Sequence, residues 1–258
     1  MGEDQDELRI ENLVVRYGGV TAVDHVTLAV PRQMITGLIG PNGAGKTTTF
    51  NACSGLLAPT AGSIVLDGAD VSGLSAQRRA QLGLGRTFQR MQLFESTSVA
   101  ENVRLGREAR LSGRNPLRHV YTSRAESAAL HEATEAALHL CGIADIAHRP
   151  VVDLSTGQRR LVELARAVAG DFRFLLLDEP SSGLDVHETK RFGEVLRQLS
   201  NQQGVGILLV EHDMNLVMSV CEYIYVIDFG RPIYDGPPAD VQRSDVVRAA
   251  YLGDGAAA

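Results

Sequence analysis

The chain has 258 residues, 44% of them hydrophobic, with a formal net charge of −6 and three cysteines. This acidic balance, without a basic stripe interleaved with aromatics, gives no electrostatic case for a nucleic-acid partner. Cys53, Cys141 and Cys221 are odd in number and form no CxxC pair, which argues against disulfides or structural zinc and for a reducing compartment. No run approaches the roughly 18 apolar residues of a membrane span, and the acidic start MGEDQDE is the opposite of a secretory n-region. The expectation is a chain that neither spans a membrane nor is exported, folded as one α/β domain large enough to bury about three-quarters of its unfolded surface.

In chain order, ELRIENLVVRY and DHVTLAV alternate in the manner of strands, and the apolar run ITGLI reads as a third. That run leads straight into GPNGAGKTT, residues 40–48. Gly40, Gly43 and Gly45 permit positive φ, so successive N–H groups of the Gly40–Pro41–Asn42–Gly43–Ala44–Gly45 loop can converge on one anion. Only two of the 25 basic residues are lysines. One of them is Lys46, whose compact ammonium can curl beside β and γ phosphates where a planar guanidinium would not fit. Thr47 offers a hydroxyl to Mg²⁺, and the helix expected over TTTFNACSGLL, with Thr48 in its first turn, turns its positive N-terminus toward the phosphates.

SIVLDG then returns as a strand, and beyond residue 89 the periodicity turns helical, in SVAENVRLG, RAESAALHEATEAALHLCGI and RRLVELARAV. These predict a helical lobe over about residues 90–170, inserted between core strands. Within it GREARLSGRNPLR, residues 106–118 with Arg107, Arg110, Arg114 and Arg118, reads as a solvated loop, with a contact to a membrane partner's loop or to anionic lipid headgroups as the alternative. The core resumes at RFLLLDEP, residues 173–180, a buried parallel strand ending in two carboxylates. Asp178, at the strand end, is placed to hold the water shell of Mg²⁺, and Glu179 to take a proton from an attacking water. VGILLVEH and EYIYVIDFG are further strands, alternating with helices over HETKRFGEVLRQLS and MNLVMSVC as a parallel sheet requires. DVVRAAYLG is a last helix, and residues 254–258 a frayed tail.

LSTGQ, residues 154–158, resembles the signature of the ABC ATPases, with Thr156 where that family usually has glycine. Four further elements match the same family in order: Tyr17 as the aromatic that stacks on adenine, Gln89 of GRTFQ as the Q-loop glutamine, Asp185 of SGLD as the D-loop aspartate, and His212 as the switch histidine. In SGLD, Gly183 stands where the family more often has alanine. The resemblance runs from about Leu8 to Gly253. It implies an α/β P-loop NTPase core with a mixed, mainly parallel sheet, antiparallel N-terminal strands and the inserted helical lobe.

It also implies an ATP and Mg²⁺ site with Thr47, Gln89 and Asp178 around the metal and Glu179, His212 and Gln89 around the attacking water. Ser155, Thr156, Gly157 and Gln158 would contact the ATP of a partner cassette, identical or related, in a head-to-tail dimer. RTFQRMQLF, VEHDMNLVM and the ending AYLG look like the ATPase subunit of branched-chain amino acid importers. That subunit works on transmembrane permease subunits at the cytoplasmic face of the membrane and, through them, with a substrate-binding protein. Relatives that move urea or short amides share these features, and lipopolysaccharide-exporting ATPases share the core motifs, so substrate and direction stay open. Soluble family members of translation fuse two cassettes and those of repair insert a long coiled coil; this chain has neither.

Overall fold

The computed structural model describes residues 6–87, 93–112 and 124–253. Gln89, residues 113–118 of the arginine-rich stretch, with Arg114 and Arg118, and the tail 254–258 therefore lie outside the described residues. Strands β1 (Glu7–Tyr17) and β2 (Val20–Pro31) form a hairpin, followed by β3 (Ile35–Ile39), α1 (Lys46–Ser54), β4 (Ala61–Leu66) and β5 (Ala69–Asp70). Next come α2 (Ala76–Gln81), β6 (Leu84–Arg86), α3 (Val99–Ser112), α4 (Arg124–Leu140) and α5 (Thr156–Ala169). The chain then alternates through β7 (Phe174–Asp178), α6 (Val186–Gln203), β8 (Gly206–Val210), α7 (Met214–Val220) and β9 (Tyr223–Asp228). It closes with β10 (Arg231–Gly236), α8 (Pro238–Arg243) and α9 (Asp245–Gly253).

One sheet is antiparallel, in the order β2-β1-β4-β5; the other, in the order β10-β9-β3-β8-β7-β6, is parallel except for β10. The central parallel strands are buried on both faces, so their sequences are continuous apolar runs rather than alternations. Their side chains still divide by the strand period of two. Leu38, Phe174, Leu176 and Leu208 face the antiparallel sheet, with Phe50 of α1 packed between the layers. Ile39, Leu175, Leu177, Ile207 and Leu209 face the opposite way, against Leu161 and Leu164 of α5 and Phe192 and Leu196 of α6.

The helices α3, α4 and α5 pack on one another as the helical periodicity predicts. The loop expected from Gly106 is a correction: α3 continues through to Ser112. Glycine stands at 106 because α5 crosses at that point: a Cβ there would lie 1.9 Å from the Arg166 carbonyl oxygen. Arg107 pairs at 3.0 Å with Asp171, an exposed residue of the connection between α5 and β7.

Several elements carry no sequence signal. β6 has three residues and exists through its parallel pairing with β7. β10 contains proline and glycine, which strands usually avoid, and is an edge strand turned back by Phe229 and Gly230, both at positive φ. α2 is fixed by Arg79, only 1% exposed, whose guanidinium donates to Ala52 and Cys53 carbonyl oxygens at the end of α1, both at 2.7 Å. A cation there also complements the helix dipole.

The α3–α5 crossing gives a stability prediction. Gly106→Ala must push the helices apart, and overpacking of this kind costs about 1–3 kcal/mol. Denaturant unfolding should show the loss; a midpoint equal to that of the wild type would refute the close crossing.

Candidate functional site

The loop after β3 is shaped by contacts that only glycine permits. A Cβ on Gly40 would sit 2.1 Å from the Ile227 carbonyl oxygen, and one on Gly45, at φ 98°, would sit 2.6 Å from that of Ala22. Gly45 precedes Lys46, the first residue of α1, so the loop amides and the helix N-terminus open toward the same space. Lys46 is 8% exposed and curls back over the loop, its Nζ donating to the Gly40 carbonyl at 2.6 Å and the Pro41 carbonyl at 2.8 Å. The result is a cleft of about 410 Å³ lined by residues 42–48, by Val20–Ala22, and by Glu179 and Phe229. Asn42, Gly43, Ala44, Thr47 and Thr48 thus share one wall. Tyr17 does not line the cleft; it is exposed and pairs across the hairpin with Val20, which does.

The carboxylates arrive from β7. Asp178 is 4% exposed, and its Oδ1 has no hydrogen-bond partner. Burial, then the neighbouring Glu179 charge, push its carboxyl up to about 6, against the pull of Arg86 and Lys46. An unpartnered buried carboxylate oxygen near Lys46, which directly precedes Thr47 in the first turn of α1, fits a hydrated Mg²⁺, which takes one or two protein oxygens and completes its shell with water and phosphate. Among the described residues no group of three or more His, Cys, Asp or Glu gathers at one point, so a metal held wholly by protein is not indicated there. Glu179 sits at φ 47°, with its amide donating to the Val210 carbonyl at 2.8 Å. His212, from the end of β8, brings Nδ1 to 3.8 Å from Glu179 Oε1. These two side chains are neighbours without being hydrogen-bonded.

LSTGQ stands apart: none of Ser155–Gln158 lines this cleft. Ser155 is the N-cap of α5, accepting from the Gln158 amide at 3.2 Å, while Gln158 Oε1 accepts from the Ser155 amide at 3.1 Å. Serine and glutamine at that spacing therefore form a capping box within the chain. Asp185 makes the same box with Glu188 at the start of α6. The two boxes touch, because a Cβ on Gly157 would lie 2.1 Å from Glu188 Oε1. Thr156 receives an explanation here as well. A Cβ on Gly183 would lie 3.2 Å from the Thr156 methyl, so the threonine is accommodated by the glycine opposite it.

Sequence reasoning passed over two residues. Phe229 is 86% exposed at the cleft, in a turn docked on the loop by the Gly230 amide donating to the Ala44 carbonyl at 3.0 Å. Its only signal was an aromatic beside glycine in a place where a tight hairpin favours Asn-Gly. Glu211, fully buried, accepts from the Ser181 amide and hydroxyl at 2.8 and 2.6 Å and from the His212 amide at 3.0 Å. A charged residue closing an apolar strand was its signal.

A parallel sheet with a glycine loop and lysine opening a helix at its carboxyl edge defines a P-loop nucleotide-binding cassette. Residues 23–182 match the family model described as ABC transporter, and the chain belongs to that family, an ATPase of the ATP-binding cassette type. It is 39% identical over 253 residues to the high-affinity branched-chain amino acid transport ATP-binding protein LivG of Escherichia coli K12, covering 97% of this chain and 99% of that one. It is 35% identical over 247 residues to the lipopolysaccharide export system ATP-binding protein LptB of Haemophilus influenzae, covering 96% and 97%. Among solved structures, the ADP conformation of an ATP-binding cassette of an ABC transporter superposes with a TM-score of 0.84 at 27% identity, covering 96% of this chain and 99% of that one. Among the described residues no helix is long and apolar enough to cross a membrane.

Asp178 carries a pH prediction. Its folded value is raised, so the stability linked to its proton is complete below the ordinary value of 3.8 and is lost as pH rises through about 6. Asp178→Asn, uncharged throughout, should therefore melt above the wild type at neutral pH without nucleotide, and the difference should shrink as pH falls across that window. Paired thermal melts check this; a difference independent of pH would exclude a buried, strained carboxylate.

Proposed function

We propose that this chain is the ATP-hydrolysing, energy-coupling subunit of a membrane importer for branched-chain amino acids or related small amides. The observation that carries the reading is the single cleft in which Lys46 and its loop stand opposite Glu179, with His212 beside that carboxylate. Similarity to LivG along nearly the whole chain supports the importer assignment.

In this reading the amides from Asn42 to Thr48 and the Lys46 ammonium hold the β and γ phosphates, and Tyr17 stacks on the adenine. Lys46 would exchange its present carbonyl partners for phosphate oxygens. Thr47 and Asp178, with Gln89, would hold Mg²⁺, which when bound neutralises phosphate charge as it develops. Glu179 takes the proton of the attacking water and His212 orients that water toward the γ-phosphate.

The capping box at Ser155 gives LSTGQ a role in its own chain but leaves a helix N-terminus facing outward. That end is suited to the γ-phosphate of a second cassette, identical or related, arranged head to tail. ATP binding would close the pair and hydrolysis release it. The motion would pass through the region of Gln89 to permease subunits, placing this chain at the cytoplasmic face of the membrane, with a substrate-binding protein acting on the far side. The match to LptB supports an exporter subunit as the second reading.

Glu179→Gln should keep ATP binding and lose turnover by about 10²–10⁴-fold, the usual worth of a placed base. Phosphate release at the wild-type rate would overturn the assignment. Lys46→Ala should lose binding itself, and normal titration with a fluorescent ATP analogue would refute the loop reading. Purification of tagged Glu179→Gln from its host membranes with ATP and Mg²⁺ should recover multi-span permeases and a second ATPase. Recovery of soluble partners alone would remove the protein from transport.

A further inference from the structure

We propose that Glu211 is a positioning residue for hydrolysis: its carboxylate latches the loop after β7 to the loop after β8, fixing Glu179 and His212 relative to one another. The proposal rests on the reading of Glu179 as base and His212 as the water-orienting group.

Glu211 is the first residue after β8, fully buried, at the end of the run GILLV. A buried carboxylate is costly unless its lone pairs are filled, and an apolar or hydroxyl side chain would close this strand more cheaply. Here both oxygens are filled, and by different loops. Oε1 accepts from the Ser181 amide and hydroxyl at 2.8 and 2.6 Å. Oε2 accepts from the His212 amide at 3.0 Å and, more weakly, from the Asp213 amide at 3.4 Å.

Glu179 lies two residues before Ser181, so its backbone is held on both sides by consecutive residues of β8 and its end. On one side its own amide donates to the Val210 carbonyl at 2.8 Å; on the other Ser181 is bound to Glu211. This clamp accounts for a conformation that would otherwise relax. Glu179 has φ 47° and precedes Pro180, a combination that costs energy and persists only where its surroundings over-determine it. The clamp's second arm ends on the His212 backbone, whose side chain lies 3.8 Å from Glu179 Oε1. A carboxylate is the group that can do this, since it accepts at both ends. Glutamine of the same shape must point an NH₂ at one loop's donors and lets go there.

The test uses the full chain with its copurified subunits and compares Glu211→Gln, Ser181→Ala, Glu179→Gln and the Glu211→Gln/Glu179→Gln pair. Glu211→Gln should lower kcat for ATP by ~10²-fold, as small misplacements of catalytic groups do, leave KM and binding of a fluorescent ATP analogue unchanged, and add no loss to Glu179→Gln. Wild-type turnover, or a loss of nucleotide binding matching the loss of rate, would overturn the proposal, as would further loss in the double variant. If Glu211→Gln does not fold, Ser181→Ala leaves the carboxylate its amide donors; it should lower kcat with unchanged KM, and a wild-type kcat there refutes the latch. Arrest in Glu179→Gln with full turnover in Glu211→Gln removes the latch alone, whereas turnover in Glu179→Gln removes the base reading and the latch with it.

Discussion

The structure depends on the register of three parallel strands. Leu38 of β3 pairs with Val210 of β8, and Val210 pairs with Asp178 of β7, so β7 and β8 end at the same level and β3 runs one residue further, to Ile39. Glu179 and Glu211 leave the sheet together as a result, and Gly40 one residue on. A one-residue slip would turn Asp178 to the other face of the sheet and take its carboxylate away from Lys46. Apolar runs buried on both faces hold that register, with Leu177 and Leu209 packed under α5 and α6 and Leu176 and Leu208 under the antiparallel sheet.

Around the resulting edge the backbone is held in conformations that the side chains do not favour. Glu179 and Phe229 both have positive φ; the Glu179 amide donates to the Val210 carbonyl, and the turn at Phe229 is fastened through Gly230, whose amide donates to the Ala44 carbonyl. Strain of this kind gathers where geometry matters more than local stability. The buried Asp178 follows the same pattern, with an unfilled oxygen and a raised carboxyl in a place that a hydrated cation would suit.

The signature side of the molecule is organised differently. Its residues are fully engaged with their own chain, through paired capping boxes at Ser155 and Asp185 and the packing of Thr156 by Gly183. Arg160, buried and bonded to Glu163 at 3.2 Å, also reaches the Ser182 carbonyl at 3.5 Å, so α5 and the SGLD turn form one unit. In a head-to-tail pair, such a unit would present a helix N-terminus of fixed direction to the other subunit's nucleotide.

The sequence by itself determined the glycine loop, the β7 carboxylates and the long helices, because glycines, a lysine in an arginine-rich chain and apolar periods act locally and leave a local mark. It determined the family too, through short motifs in a fixed order. Tertiary structure alone decided why residue 106 of α3 is glycine, since the Arg166 carbonyl of another element leaves no room for a Cβ, and that RPIYDG is a strand, since an edge position tolerates its proline. It also decided that Glu211 joins two loops and that Thr156 is matched by Gly183. In each case the partner lies far along the chain, and a hydrogen bond or a close packing contact between distant segments leaves no period or spacing to read.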